Sequence, residues 1–388
     1  RDPEMSRGLG DVYKRQQFYA VRRKSNYYTV SYYLGNGSTN AAYQKLTQTV
    51  EEGTVVTFAK VPARTGYVNQ GWSSKKNSEK ATAKAKCTVN KNITLYAVQK
   101  KAVQLTFHRC DGSTWQKTTL AKGSSYSLPG VRDAEGYTFM GWSTKPMQSV
   151  SPQYEAEEKI TVNGNVDLYA VVFNRTTETD LTEDQLPQVD IYKYKQVIFV
   201  GDSRTEFMEN VLTGMGESAT KNVKFVCSAG KGLDWFTTTG WAQLYSIVQH
   251  DSNSILSKKT AVIFNFGVND LSKSADYAEY YNWIAPQLKS KGCELYFMSV
   301  NPVNRLMLPN AGRADRSEAA VRSFNQYMKA NLSSAYTYID MYSYLKSTGY
   351  SFASDHYGTG TVDDGLHYTT RTYKRIFAKC MDSLRVPA

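Results

Sequence analysis

The chain has 388 residues, of which 41% are hydrophobic and 21% charged, ordinary values for a soluble globular protein of two or three domains. No segment approaches the roughly 20 consecutive apolar residues of a membrane helix, so a membrane span is not expected. The net charge of +12 falls almost wholly on residues 1–172, which hold 24 Lys and Arg against 13 Asp and Glu; without a basic and aromatic motif beside it, this charge does not predict nucleic-acid binding.

The N-terminal residues carry no pattern that continues along the chain. Residues 1–17 are polar and rich in Arg and Gly, and they lack the apolar stretch of a signal peptide. We therefore predict a non-native or disordered leader over residues 1–25 and leave it out of the fold.

An internal repeat follows the leader. The sequence GYVNQGWS at residues 66–73 returns as GYTFMGWS at residues 136–143, and NITLYAV at residues 92–98 returns as NVDLYAV at residues 165–171. The spacing of 70 to 73 residues is too long for one turn of a solenoid. The repeat therefore predicts two small domains in tandem.

Each copy is predicted to be rich in β-strands. Residues 28–34 and 103–108 alternate like strands, and the turn signals Asn36-Gly37 and Asp111-Gly112 follow them. The Gly-Trp pair of each copy is expected to place an indole in a small core, and LYAV to form a final strand. The lone His108 is more readily explained as a structural residue than as a catalytic one.

These signatures resemble the internalin B repeat, also called the Listeria–Bacteroides repeat, over residues 27–100 and 102–173. The resemblance implies compact β-grasp-like modules of an extracellular, usually Gram-positive, surface protein. We assign the two repeats to residues 26–101 and 102–173. Their basic charge either favours contact with anionic cell-wall or host-surface polymers or is simply a solvated face.

The composition changes after the repeats. Residues 174–194 are rich in Thr, Asp and Glu without apolar periodicity, which predicts a linker or short cap. From residue 195 onward, strand-like and helix-like segments alternate, which indicates a mostly parallel sheet covered on both faces. Strands are predicted at residues 197–200, 223–227, 261–266, 294–300 and 336–339, and helices at 205–212, 235–250, 275–290, 316–331 and 370–384. In such sheets, functional side chains collect at the carboxyl ends of the strands.

Three short motifs stand out in this region. GDSR at residues 201–204 follows the first strand, GVND at residues 267–270 follows the third strand, and DGLH at residues 364–367 precedes the last helix. Each motif alone is common by chance, but the ordered set is specific. It holds the parts of a serine nucleophile site, because a hydroxyl needs a neighbouring base and histidine titrates near neutrality. A carboxylate three residues before the histidine can hold the imidazole in the right tautomer.

The set resembles the SGNH/GDSL hydrolases over residues 196–384. The resemblance implies a flavodoxin-like three-layer α/β/α domain with a mostly parallel sheet at residues 195–388. It also implies that Ser203 is the nucleophile, that His367 is its general base and that Asp364 orients His367. Asp355-His356 is a competing acid–histidine pair, and Asp363 adjoins Asp364. The D-x-x-H spacing next to the last helix favours Asp364 and His367.

The tetrahedral intermediate of such a reaction needs preorganised hydrogen-bond donors. The resemblance assigns this oxyanion hole to the Ser203 N–H, the Asn269 side-chain amide and a glycine after the second strand. Two glycines are candidates, Gly232 first and Gly230 second. Arg204 replaces the usual leucine after the serine, and we predict that Arg204 and Trp235 contact the substrate.

Each of these residues alone has an ordinary structural explanation. Ser203 can cap the helix that follows it, and Asn269 can form a turn. The five cysteines are odd in number and lack C-x-x-C spacing, which argues against a zinc site or a disulfide framework. No metal-ligand cluster or phosphate-cradling motif is visible, so no metal and no cofactor is expected.

The sequence thus predicts a secreted or cell-surface bacterial serine esterase that acts on a small-molecule or glycan ester. An O-acetyl or other short acyl ester of a carbohydrate is favoured. A lipase, thioesterase, arylesterase or O-acyltransferase would use the same residues. A surface adhesin with an idle hydrolase-like domain is the alternative of a different class.

Overall fold

The computed structural model describes residues 24–191, 193–251, 259–308, 316–353 and 364–384. The predicted leader lies almost wholly outside these ranges, as do Asp355, His356 and Asp363. The described chain divides into two compact units, one up to Ala102 with Leu120–Lys122, the other made of Val103–Thr119 and the chain from Gly123 onward. Every helix of these ranges is too short or too polar to span a membrane. The domain boundaries derived from the sequence stay a prediction.

The first unit is built from short strands. Its elements are β1 (Tyr27–Tyr33), α1 (Ala41–Gln44), β2 (Gln48–Glu51), β3 (Thr54–Thr57), β4 (Tyr67–Ser73), β5 (Lys86–Val89) and β6 (Ile93–His108), the last of which continues into the second unit. Strand β1 pairs antiparallel with β2 and parallel with β6, β4 pairs antiparallel with β6, and β3 and β5 form a separate ribbon. The Trp72 indole is buried and donates to the Ala59 carbonyl at 2.6 Å.

The second repeat has the same topology. It continues from β6 with β7 (Thr114–Ala121), β8 (Ser124–Ser127), β9 (Tyr137–Ser143), β10 (Lys159–Val162) and β11 (Val166–Asn174). Strand β11 pairs parallel with β6 and antiparallel with β9, and β8 and β10 form a ribbon. Trp142 is fully buried, and its indole donates to the Pro129 carbonyl at 2.8 Å. The predicted indole in the core of each copy is confirmed.

The segment predicted as a linker packs against the domain that follows it. It has two 3₁₀ turns, Arg175–Thr177 and Glu183–Gln185. Between them, the buried Glu178 carboxylate accepts hydrogen bonds from Ser351, Thr372 and Arg375. Composition alone did not reveal this, because the partners of Glu178 are almost 200 residues away in the sequence.

A five-stranded parallel sheet forms the centre of the C-terminal part. Its strands are β12 (Tyr194–Gly201), β13 (Val223–Cys227), β14 (Lys259–Asn265), β15 (Cys293–Met298) and β16 (Tyr336–Ile339). They lie in the order β13-β12-β14-β15-β16, and every neighbouring pair is parallel. This is the doubly wound order 2-1-3-4-5, also seen in flavodoxin. The predicted parallel sheet is confirmed.

Helices follow the strands. They are α2 (Ser203–Thr213), α3 (Leu233–Trp235), α4 (Trp241–Asp251), α5 (Ser274–Ser290), α6 (Glu318–Asn331), α7 (Met341–Thr348) and α8 (Thr370–Ser383), and a π-helical turn (Phe236–Gly240) joins α3 to α4. Helix α7 was not predicted. Its sequence MYSYLKST is short and holds several weak helix formers, so packing rather than propensity stabilises it.

The sheet is covered on both faces. Ile198 and Val200 of β12 belong to one buried cluster, which includes side chains of α4, α5 and α6. Val197 and Phe199 belong to another cluster, with side chains of α2 and α8. This alternation along a single strand places β12 in the middle layer of three.

The strand order brings three loops together. Strand β12 lies between β13 and β14, and Gly201 at its end is paired with both Cys227 and Asn265. The segments after these strands therefore leave the sheet side by side at its carboxyl edge. Between β12 and its two neighbours the strand order reverses, and the carboxyl edge at such a point is the usual binding position in doubly wound folds.

Candidate active site

The turn after β12 presents Ser203 at the start of α2. Asp202 is the N-cap, and its carboxylate accepts the Arg204 N–H at 3.0 Å. A Cβ atom at Gly201 would lie 1.9 Å from the Thr205 hydroxyl, so this tight turn needs glycine. Because Ser203 occupies the first turn, its N–H has no carbonyl four residues earlier to bond within the helix. It is therefore available to a ligand.

Ser203, His367 and Asp364 form a continuous hydrogen-bonded chain. The Ser203 hydroxyl lies 2.9 Å from Nε2 of His367, and Nδ1 of His367 lies 2.6 Å from Oδ2 of Asp364. A carboxylate only accepts, so Nδ1 carries the proton and Nε2 is left to accept from the serine. The Phe207 ring meets the imidazole edge to face at 4.7 Å between centroids. Ser203 and His367 are 6% and 5% exposed, so the chain is shielded from bulk water.

Asp364 is held as a carboxylate. Its Oδ1 accepts the backbone N–H groups of Leu366 and His367, both at 2.8 Å. Burial acts to raise the pKa of Asp364, but the hydrogen bond and charge of His367 and the two N–H groups outweigh it and keep that pKa below its usual value. Asp364 is therefore ionised at neutral pH and can stabilise an imidazolium at His367.

The Arg204 side chain is buried and bound to backbone carbonyls. It is 3% exposed, and Nε, Nη1 and Nη2 donate to the carbonyls of Leu366, Asn301 and Pro302, each at 3.0 Å. One residue after the nucleophile, it thus fixes the carbonyl next to His367. We correct the predicted substrate contact to this structural one, because the residue is buried and each of its three guanidinium nitrogens already donates to a backbone carbonyl.

Trp235 lies at the end of α3 and is half-buried. Its ring lies 6.1 Å from that of Phe266, and a side chain at Gly240 would collide with it. The ring therefore packs against the protein on at least one side. Its predicted contact with the substrate stays a prediction.

The Asn269 side chain is fixed from two directions. Its Nδ2 donates to the Lys231 carbonyl at 2.7 Å, and its Oδ1 accepts from Nη2 of Arg316 at 2.6 Å. Since a guanidinium only donates and a carbonyl only accepts, the amide orientation is determined. Nδ2 has a second hydrogen, which is the one that can serve an oxyanion.

Arg316 was missed in the sequence. It was placed at the start of a predicted helix, but α6 begins at Glu318 after the N-cap Ser317, so Arg316 precedes the helix and reaches Asn269. It is buried. No motif marks it, because the contact joins positions 47 residues apart.

The two candidate glycines are required for different reasons. Gly230 has φ +70°, a conformation that L side chains rarely adopt, with open space around it. At Gly232, a Cβ would lie 2.4 Å from the Asp270 carboxylate. The carbonyl of the Lys231–Gly232 peptide is the one bound by Asn269. Which glycine N–H serves the oxyanion stays a prediction, with Gly232 favoured.

Two aspartates brace these loops, of which Asp202 is buried and Asp270 half-buried. The Asp270 carboxylate accepts the Leu233 N–H at 2.9 Å and the Tyr277 hydroxyl at 2.7 Å. Burial raises the pKa of Asp202 to about 6, with Arg204 and its N–H offsetting part of that rise and the charge of Asp270 adding to it. Both aspartates are structural, because their bonds hold the turns that carry the site.

Two known families match separate parts of the chain. Residues 28–98 and 104–171 each match the Listeria-Bacteroides repeat domain, and residues 197–380 match the GDSL-like lipase/acylhydrolase family. A provisionally named Gly-rich membrane protein of Evansella cellulosilytica is 26% identical over 146 residues, which are 37% of this chain and 16% of that protein. The alignment therefore covers only a small part of that relative.

Solved structures of esterases and transferases resemble the chain distantly. An acetyl xylan esterase is 11% identical, with 49% of this chain and 100% of that chain covered and a TM-score of 0.33. The catalytic domain of a Streptococcus pneumoniae peptidoglycan O-acetyltransferase is 17% identical, with 49% and 92% covered and a TM-score of 0.30. At such TM-scores neither structure indicates what this chain acts on. The family matches do identify its parts: two Listeria-Bacteroides repeats precede a GDSL-like lipase/acylhydrolase domain, which is an esterase domain of the SGNH type.

Proposed function

We propose that this protein hydrolyses short acyl esters of carbohydrates, O-acetyl esters first, at the outside of a bacterial cell. The observation that carries the chemistry is the continuous chain from Asp364 through His367 to the Ser203 hydroxyl, with distances of 2.6 and 2.9 Å. These three residues are a nucleophile, a base and an orienting carboxylate that are joined by hydrogen bonds.

The first half of the reaction forms an acyl-enzyme. The Ser203 hydroxyl attacks the ester carbonyl while Nε2 of His367 takes its proton, and the carbonyl oxygen becomes an oxyanion. The resulting imidazolium is stabilised by the ionised Asp364, whose Oδ2 is 2.6 Å away. When the tetrahedral intermediate collapses, His367 returns the proton to the leaving alcohol, and the acyl group stays on Ser203.

The second half releases the acid. A water molecule enters the position left by the alcohol, His367 takes its proton, and the hydroxide attacks the acyl carbonyl. Collapse of the second intermediate frees the carboxylic acid and returns the proton to Ser203. We assign oxyanion stabilisation in both halves to the Ser203 N–H, the second Asn269 amide hydrogen and the Gly232 N–H, and each such donor is worth roughly 10²–10³ in turnover.

The proposed substrate class and extracellular location are inferred from the N-terminal repeats and from the distribution of charge along the chain. Two Listeria-Bacteroides repeats precede the esterase domain. Residues 1–172 carry a formal net charge of +11, and residues 173–388 only +1. A basic region attached to an esterase raises the local concentration of an anionic polymer near the site. Surface and wall polymers that carry both anionic groups and O-acyl esters fit this preference.

The test is hydrolysis of p-nitrophenyl esters from acetate to octanoate by the wild-type protein, Ser203→Ala and Ser343→Ala. Ser343 is an exposed serine of α7 and serves as the matched control. We expect cleavage that is fastest for acetate, unchanged in Ser343→Ala and lost in Ser203→Ala. Activity that persists in Ser203→Ala would show that the nucleophile is wrong.

A second assay addresses the substrate. Acetylated xylan, acetylated peptidoglycan and a triglyceride are offered separately, and released acetate or fatty acid is measured with and without a free sugar acceptor. We expect acetate from a glycan. Release of fatty acid would favour a lipase, and transfer of acetyl to the sugar would favour a transferase. Inactivity toward every ester would favour an adhesin with an idle hydrolase-like domain.

A further inference from the structure

Residues 304–307, in the segment after β15, support the D-G-L-H motif that carries Asp364 and His367. The Asn304 N–H donates to the Gly365 carbonyl at 2.8 Å. Gly365 has φ +64°, and a Cβ there would lie 2.3 Å from the Asn304 carbonyl oxygen and 2.7 Å from Cβ of Met307. The D-G-L-H motif is therefore pressed against residues 304–307, and its position depends on theirs.

The Asn304 side chain connects this segment to the second repeat. Its Nδ2 donates to the Val131 carbonyl at 3.0 Å and to Oδ1 of Asp133 at 2.9 Å. Its Oδ1 accepts the Leu306 N–H at 3.2 Å. Both Nδ2 partners belong to the second repeat and lie in the same compact unit as the esterase domain.

Asp133 is a rigid anchor. Its side chain is almost completely buried. Its Oδ1 also accepts the Phe139 N–H at 3.0 Å, and its Oδ2 accepts from Nη2 of Arg175 at 2.7 Å. A carboxylate held by the backbone, a guanidinium and an amide has little freedom to move.

The first repeat lacks this anchor. When the two copies are aligned on GYxxxGWS, Asp133 corresponds to Ala63 and the fully buried Met140 to the exposed Gln70. The backbone carbonyl of Met140 accepts from the ammonium of Lys346 in the esterase domain at 2.9 Å. The anchor is therefore not needed to fold a repeat, and it appears in the copy that contacts the esterase domain.

We propose that Asn304 and Asp133 are positioning residues, and that through them the second repeat holds the segment with Asp364 and His367 in its catalytic position. The support runs from Asp133 to Asn304, from Asn304 to Gly365, and from Gly365 to the neighbouring Asp364 and His367. This inference rests on the proposed function. Without the anchor, the Asp364–His367 segment shifts from Ser203, and a misplacement of about 1 Å can cost up to about 100-fold in rate.

The experiment compares Asp133→Ala, Asn304→Ala and the double variant in the full chain. Asp133→Ala restores the residue of the first repeat. Asp167→Ala is the control for loss of a carboxylate from the same repeat, because Asp167 is exposed and its carboxylate pairs with His108 instead. We measure kcat and KM for p-nitrophenyl acetate and the rate of Ser203 labelling by a fluorophosphonate, at a temperature well below every melting point.

We expect kcat and the labelling rate to fall about 10-fold or more in both single variants, with KM nearly unchanged. The double variant should lose no more than either single one, because both break the same connection. Asp133→Asn keeps an oxygen acceptor and should recover most of the rate. Variants that melt earlier but keep wild-type kcat and labelling would overturn the proposal.

A third readout does not depend on activity. The proton that His367 Nδ1 shares with Asp364 gives a low-field NMR resonance, identified by its absence in His367→Gln. If the wild-type protein cleaves no ester, the proposed function fails, but loss of this resonance in Asn304→Ala would still support the positioning role and its retention would overturn it. Should Asn304→Ala not fold, Asn304→Ser, which retains a small polar side chain, takes its place.

Discussion

Replacing Arg204 with leucine tests whether the residue after the nucleophile holds the histidine segment. Arg204 gives three hydrogen bonds of 3.0 Å to backbone carbonyls at a site where it is only 3% exposed. At about 1.5 kcal/mol for each bond from a charged donor, the loss is about 4.5 kcal/mol. Burial of a leucine side chain returns about 1.5 kcal/mol. We therefore expect Arg204→Leu to lose about 3 kcal/mol of unfolding free energy.

The variant should also lose activity. One of the three carbonyls belongs to Leu366, next to His367, so the imidazole loses part of its support. Urea unfolding gives the stability, and p-nitrophenyl acetate hydrolysis gives kcat below the melting temperature. We expect kcat to fall about 10-fold to 100-fold with KM nearly unchanged. Arg204→Lys should lie between wild type and Arg204→Leu, because one ammonium cannot reproduce the three directed donors.

The control is Arg371→Leu. Arg371 lies on α8, half-exposed, with its Nε 3.6 Å from Asp180, so its removal should cost less than 1 kcal/mol. If Arg204→Leu behaves like this control in both stability and kcat, the three hydrogen bonds do not hold the site together and the reasoning above is refuted.

Three further substitutions are predicted from the same contacts. Asp364→Asn should lower kcat by up to about 10⁴, because an amide can favour the wrong His367 tautomer, and steady-state hydrolysis would expose the error if kcat stayed near wild type. Burial raises the pKa of Asp202 from 3.8 to about 6, so ionisation of this carboxyl costs the folded state up to about 3 kcal/mol as pH rises from 4 to 6. Asp202→Asn should therefore be more stable than wild type at pH 7.5 but not at pH 4. Urea unfolding in which the two proteins differ in stability by the same amount at both pH values would contradict this. Lys346→Met should lose about 3–5 kcal/mol, because it leaves the buried Glu318 unpaired, and addition of Glu318→Gln should recover part of that loss in thermal melts.

The elements that the sequence predicted well are those with strong local patterns. Strands β13 and β16 begin and end where predicted, because both are short runs dominated by apolar and aromatic residues that stop at a polar residue, Ser228 and Asp340 respectively. Helix α6 begins two residues later than predicted, because Ser317 accepts the Ala320 N–H and sets the first turn. Helix α7 was missed because its residues have little preference for a helix.

The site was predictable where chemistry restricts residue identity. A nucleophile, a base and an acid in chain order gave Ser203, His367 and Asp364, which the structure brings into contact. Arg204 was misassigned because neighbours on a helix point about 100° apart, so the residue after Ser203 faces a different part of the protein from the nucleophile.

Arg316, Asn304 and Asp133 carry no motif at all. Their contacts join residues 47 and 171 positions apart, so only the folded chain brings them together. The one available signal was the difference between the two repeats, in which Asp133 replaces Ala63. Such differences between copies are informative because the shared core cannot explain them.

The packing of the second repeat decides how the esterase domain can be produced. Phe173 of β11 lies so close to Gly349 that a Cβ there would be 2.2 Å from its ring, and Met140, Leu186 and Val189 belong to the same buried cluster. A truncated fragment that starts at residue 195 would leave the partners of these side chains open to water as an apolar patch, which promotes aggregation. Expression of the esterase domain for biochemical work should therefore begin no later than Val103.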